Sequence, residues 1–146
     1  MSFRPAIALL SAAFVVACGG EPGEITRDTQ PFDGIAEGAQ ISLIGTEPFW
    51  ALEIERDRNR YIAVYSTPEN PDGLQFDVDR FAGNNGVGFN GEMEGRSVQV
   101  AIAPGDCSDQ MSSRRYPYTA TVALGDEVLY GCAHTSDEPF EPGATQ

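Results

Sequence analysis

The feature that most constrains this chain is a set of eight short apolar runs in which every second residue is apolar. They are Ile41 and Leu43; Trp50, Leu52 and Ile54; Ile62 and Val64; Leu74, Phe76 and Val78; Val87 and Phe89; Val98, Val100 and Ile102; Ala120, Val122 and Leu124; and Val128 and Tyr130. A period of two is that of a strand, with successive side chains on opposite faces of a sheet. Turn chemistry separates the runs: Asp57-Arg58-Asn59, Asn70-Pro71-Asp72-Gly73, Gly83-Asn84-Asn85-Gly86, Glu94-Gly95 and Gly125-Asp126. Glycine and asparagine supply the positive φ of tight hairpins, and no window carries the 3.6-residue period of an amphipathic helix. A sheet with one apolar face must close on itself or pack on a second sheet. The fold class is therefore all-β, a small antiparallel barrel or sandwich of about eight short strands.

The ends of the chain read differently. Met1 to Ala17 has a positive start at Arg4 and an apolar run, Ala6 to Ala17, too short to span a bilayer as a helix. This is the pattern of an export signal. It ends at Val15-Val16-Ala17-Cys18-Gly19, which resembles the bacterial lipobox: a branched apolar residue, a small residue, then a cysteine. That resemblance implies cleavage before Cys18, acylation of its thiol with diacylglycerol and palmitate, and anchoring to a membrane. Gly19 is not the aspartate of inner-membrane retention, so the expected address is the outer membrane facing the periplasm. The alternative is secretory cleavage leaving a free thiol. Residues 18 to 38 read as a lipidated flexible tether, 39 to 133 as the β domain and 134 to 146 as a disordered tail.

Two cysteines remain, Cys107 and Cys132. In an oxidising compartment such a pair is expected to bond, whereas a zinc site would need two further ligands and His134 is the single histidine. No metal or other cofactor is expected. The chain holds 22 acidic residues against 9 basic ones, all arginine, for a formal charge of −13. Such a charge repels phosphate backbones and so argues against nucleic acid as a partner, while a basic protein would be attracted.

Two segments stand out as candidate sites. In Gly45-Thr46-Glu47-Pro48-Phe49-Trp50 the strand period turns Phe49 outward if Trp50 joins Leu52 and Ile54 in the core. In Cys107 to Tyr118 a loop rich in hydroxyls and amides carries the only adjacent arginines, Arg114 and Arg115. Those could clamp a carboxylate or phosphate, or pair with Asp109 or another acidic neighbour. The expected contact face is Glu47, Phe49, Arg115, Tyr116 and Tyr118. Asp77-Val78-Asp79 fails as a calcium loop because Phe81 takes the next ligand position, and Gly83 to Gly88 lacks the lysine of a phosphate loop.

The same two segments resemble a family of uncharacterised bacterial envelope lipoproteins with a G-x-E-P-F-W opening and a C-S-D-G-M-S-x-R-x-Y-P-Y loop followed by G-C-A. Gly45, Glu47, Pro48, Phe49 and Trp50 match the opening; Cys107, Ser108, Asp109, Met111, Ser112, Arg114, Tyr116, Pro117 and Tyr118 match the loop; Gly131, Cys132 and Ala133 match the close. The resemblance spans roughly residues 41 to 133. Gln110 departs from the family's glycine, and if that position has positive φ a glutamine there is strained. The family implies an address and a fold but no activity.

No acid–base or metal constellation is evident, so the expectation is a non-catalytic envelope module that binds a partner or serves a structural role. Two other classes compete: an acidic inhibitor of a basic hydrolase such as lysozyme, and an enzyme using Asp109, Glu47 or the tyrosines as acids.

Overall fold

The computed structural model describes residues 30–143. Eight strands follow in order: β1 (Ile41–Thr46), β2 (Phe49–Asp57), β3 (Arg60–Thr67), β4 (Asn70–Ala82), β5 (Val87–Met93), β6 (Arg96–Cys107), β7 (Tyr116–Leu124) and β8 (Glu127–Thr135). Each pairs antiparallel with the next, and β8 returns to β1 through Ile41↔Thr135 to Ile44↔Cys132, closing the sheet into a barrel. The barrel, not the sandwich, is how this chain removes the free edges of its sheet.

The inward set follows from the alternation and from register. Leu43, Leu52, Phe89 and Val122 are fully buried, and Trp50 sits among them. Two strands run out of phase with the sequence reading. On β3 the core takes Ala63, with Tyr61 and Tyr65 packed against it, while Ile62 and Val64 lie on the other face, paired with the outward Glu53, Glu55 and Asp77, Ile62 being nonetheless buried there. On β8 the inward residues are Leu129, Gly131 and Ala133, and Val128 and Tyr130 are exposed. Both strands have apolar residues in both phases, so period alone could not choose between them. Space chooses on β8: the Trp50 indole packs 2.9 Å from where a Cβ on Gly131 would stand. A larger inward residue there would displace the ring.

The turns match their chemistry with one exception. Glu94 (φ 50°) and Gly95 (φ 78°) form the two-residue turn between β5 and β6, and Gly125 (φ 61°) opens the one between β7 and β8. Asn70 to Gly73, by contrast, lies within β4. The turn falls at Pro68-Glu69, and a register shift between Tyr65 and Thr67 absorbs Pro71 to Gly73 as a bulge.

The folded unit is longer than residues 39 to 133 at both ends. Residues 30 to 40, partly assigned above to the tether, form a strap across one mouth of the barrel, with Ile35 and Ala39 buried in the core. Hydrogen bonds hold it, among them Phe32 N to Gly83 O (2.8 Å), Arg80 to Ile35 O (2.8 Å), Tyr61 to Glu37 O (2.9 Å), and Ser136 N to Gln40 O (2.9 Å). At the other terminus β8 runs through Thr135, and the segment after it turns back, with Glu141 bridging Arg115. The reading of a disordered tail from 134 is corrected to this extent. Polar composition hid both segments, because their bonds are made to distant strands. The expected signal peptide, Cys18 and the tether up to residue 29 lie outside the described residues, as do residues 144–146.

Candidate contact surface

The loop from Cys107 to Tyr116 is fixed at its base by a disulfide to Cys132 and internally by one carboxylate. Asp109 accepts four hydrogen bonds, from Met111 N (3.1 Å), Ser112 N (2.8 Å), the Ser112 hydroxyl (2.7 Å) and the Tyr116 hydroxyl (3.3 Å). The Ser112 backbone amide is the largest cause holding its carboxyl below the usual carboxylate range. Ser108 and Ser112 accept from the amides of Gln110 and Arg114, so the hydroxyls satisfy turn backbone. Asp109 is thus a brace for the loop. Gln110 adopts φ 57°, the left-handed conformation in which a glycine would be unstrained.

Within the outer surface of the barrel this loop stands beside β1 and β8. Ile44, Thr46, Asp109, Gln110 and Tyr130 line a cavity of about 200 Å³ between them. Of the exposed large side chains, Tyr130 (73% exposed) lines it, Met111 (67%) follows the lining residue Gln110 in the loop, and Phe49 (52%) is paired across the hairpin with the lining residue Thr46. Glu47 lies exposed in the turn between them. Here a stiff loop and a stiff hairpin present exposed apolar area, which costs little ordering entropy on contact.

The residues expected to form one contact face are divided by the fold. Phe49 points outward and Trp50 inward, as the alternation requires, and Glu47 and Phe49 belong to the surface just described. Tyr116 and Tyr118 do not, because both are buried. The Tyr118 hydroxyl donates to the Glu138 carboxylate at the strapped mouth, with the Gly34 carbonyl 3.3 Å away; burial first, and then that bond, push its pKa up to about 12. Tyr116 packs on Phe140 and His134, at 5.5 and 6.1 Å between centroids. Arg115 pairs with Asp106 (3.1 Å) and Arg114 lies 4.7 Å over the Phe140 ring, so both arginines have local partners. Asp106, rather than Asp109, is the acidic neighbour.

Tyr130 and Met111 were missed from sequence. The signal for Tyr130 was Cys132, two residues on and therefore on the same face: a cysteine bonded to an external loop must point outward, and it takes Tyr130 with it. No family model matches the chain, and no curated protein or solved structure matches it. Among the described residues no group of three or more potential metal ligands comes together.

Proposed function

We propose that this chain is an exported lipoprotein, acylated at Cys18, held at the outer membrane facing the periplasm, and acting as a non-catalytic binding module. The observation that carries the binding role is the exposure of Phe49, Met111 and Tyr130 around a loop stiffened by a disulfide and the Asp109 bonds. Exposed aromatics and methionine on a preorganised frame are what a partner's apolar surface needs. The address is tested by Cys18→Ser, which should release the chain from the membrane fraction and abolish palmitate labelling. An unchanged membrane fraction would remove the lipid anchor. Binding is tested by capture from a detergent-solubilised envelope extract with the full-length chain. Phe49→Ala with Tyr130→Ala should abolish recovery of a salt-resistant partner, and recovery equal to wild type would move the contact elsewhere.

A second reading has its own support. The outward positions of β2 and β4 carry Glu53, Glu55, Asp77 and Asp79, an acidic flank to which a basic hydrolase such as lysozyme would be steered. Inhibition at low salt that fades as salt rises is its signature, and unaltered lysozyme activity at low salt excludes it.

A further inference from the structure

On the side of the barrel formed by β5, β6 and β7 the outer surface changes character. The outward residues Asn90, Gln99, Ala101, Thr119, Thr121 and Ala123 carry no charge, in a chain with 22 carboxylates. Charge returns at the borders, with Asp79 paired to Asn90 and Glu92 to Ser97. Within this neutral area lies a groove of about 290 Å³. Gly88, Ala101 and Ala103 form its floor, Phe81 and Asn85 one wall, and Thr119 and Thr121 the other. Phe81 is 51% exposed, and the end of its ring fills the space a side chain on Gly88 would need. Phe81↔Gly88, Gly88↔Ala101 and Ala101↔Thr121 are direct pairs, and since the Phe81 ring reaches across to Gly88 the open width to Thr121 is two strand spacings, about 10 Å.

The chemistry of the groove selects its ligand class. A phosphate, carboxylate or ammonium group would find no countercharge inside it. A purely apolar ligand would leave the Asn85 amide and the threonine hydroxyls without partners, at a desolvation cost. A second copy of the chain is disfavoured by size: two strand spacings, about 10 Å, by four residues along a strand, about 13 Å, is near 130 Å², against about 800 Å² per partner for a stable interface. What fits is a neutral molecule with an apolar ring face and a rim of hydroxyls. We propose that the groove binds a neutral saccharide. Its C–H face lies on the Phe81 ring and its hydroxyls meet the Asn85 amide and Thr121. Thr119, which donates to Ala103 O (3.3 Å), remains free to accept. Gly88 seats the Phe81 ring, and the small side chains of Ala101 and Ala103 let the sugar approach the sheet beside it. This site is separate from the Phe49 surface and does not rest on its role.

The probes are chitotetraose and cellotetraose, titrated into the full-length chain in detergent while backbone amide shifts are followed. Shifts should saturate with one of the two sugars and cluster at Gly88, Ala101 and Thr121. Phe81→Ala should weaken binding at least about tenfold, the scale of 1.4 kcal/mol. Thr121→Arg, which fills the groove and leaves the Phe81 contact with Gly88 in place, should abolish it, and Phe49→Ala should leave it unchanged. Absence of saturable shifts with both sugars up to about 10 mM, ten times a weak Kd of about 1 mM, would overturn the proposal. So would shifts that both groove variants retain, or shifts that follow protein concentration and not sugar, which would assign the face to a second copy.

Discussion

Single residues in this barrel are fixed by space as much as by polarity. Gly131 is the sharpest case: a Cβ there would stand 2.0 Å from the Ile44 carbonyl oxygen, and neither backbone can yield without opening the β1–β8 seam. Gly131→Ala should therefore destabilise by about 3 kcal/mol or more, at the top of the range for overpacking, read as a fall in the urea midpoint. A change under about 0.5 kcal/mol, the size of an ordinary surface substitution, would mean that the seam is looser than the contact implies. Gln110 offers the opposite case. Its φ of 57° costs a non-glycine residue about 1 kcal/mol, so Gln110→Gly should raise stability by up to that amount, less the chain entropy glycine adds on unfolding. A lower midpoint would show that the Gln110 side chain contributes more than its backbone conformation costs. The strain at Gln110 was legible in the sequence, from one departure in a glycine position. The crowding at Gly131 was not, because it depends on which strand closes the barrel.

Among the elements, the runs with polar alternates were legible in phase as well as position: β1, β2, β6 and β7 place inward the residues their period predicted. β3 and β8 were legible in position only. The strap and the C-terminal segment were not legible at all, since neither has a strand period and the contacts that hold them, Ile35 and Ala39 in the core, Phe140 on Tyr116, and hydrogen bonds to distant strands, depend on the closed barrel. One of these elements carries a titration. The Tyr118 pKa lies near 12 in the folded chain against 10.0 for the free side chain. A folded pKa above the unfolded one means that the stabilisation is complete below about pH 10 and is lost as pH rises through about 12. Tyr118→Phe should lower stability at neutral pH, by losing the bond to Glu138, yet flatten the decline between pH 10 and 12. The check is the urea midpoint at several pH values in that window. A wild-type and variant decline of equal slope would place the alkaline transition at another group.

At the scale of the whole molecule, the net charge was legible from composition but its distribution was not, because register decides which carboxylates face outward together. β2 and β4 put Glu53, Glu55, Asp77 and Asp79 on one flank, and β5 to β7 carry a neutral area that ends at Glu92. With a formal charge of −13, compaction brings like charges together, and the exposed pairs Arg60–Asp77 and Arg115–Asp106 offset little, since such pairs contribute about 0 to 1 kcal/mol each. Sodium chloride should therefore stabilise the fold: between 0.1 and 1 M the screening length falls from about 10 to about 3 Å, shorter than most separations along the flank. Thermal midpoints in that series should rise, with most of the gain by the middle of the range. Replacing Glu55 and Asp79 by Gln and Asn should raise the low-salt midpoint and shrink the salt response together, because both report the same repulsion. A midpoint that falls with salt would mean that the arginine pairs dominate the surface, and would also weaken the case for an acidic flank strong enough to steer a basic partner.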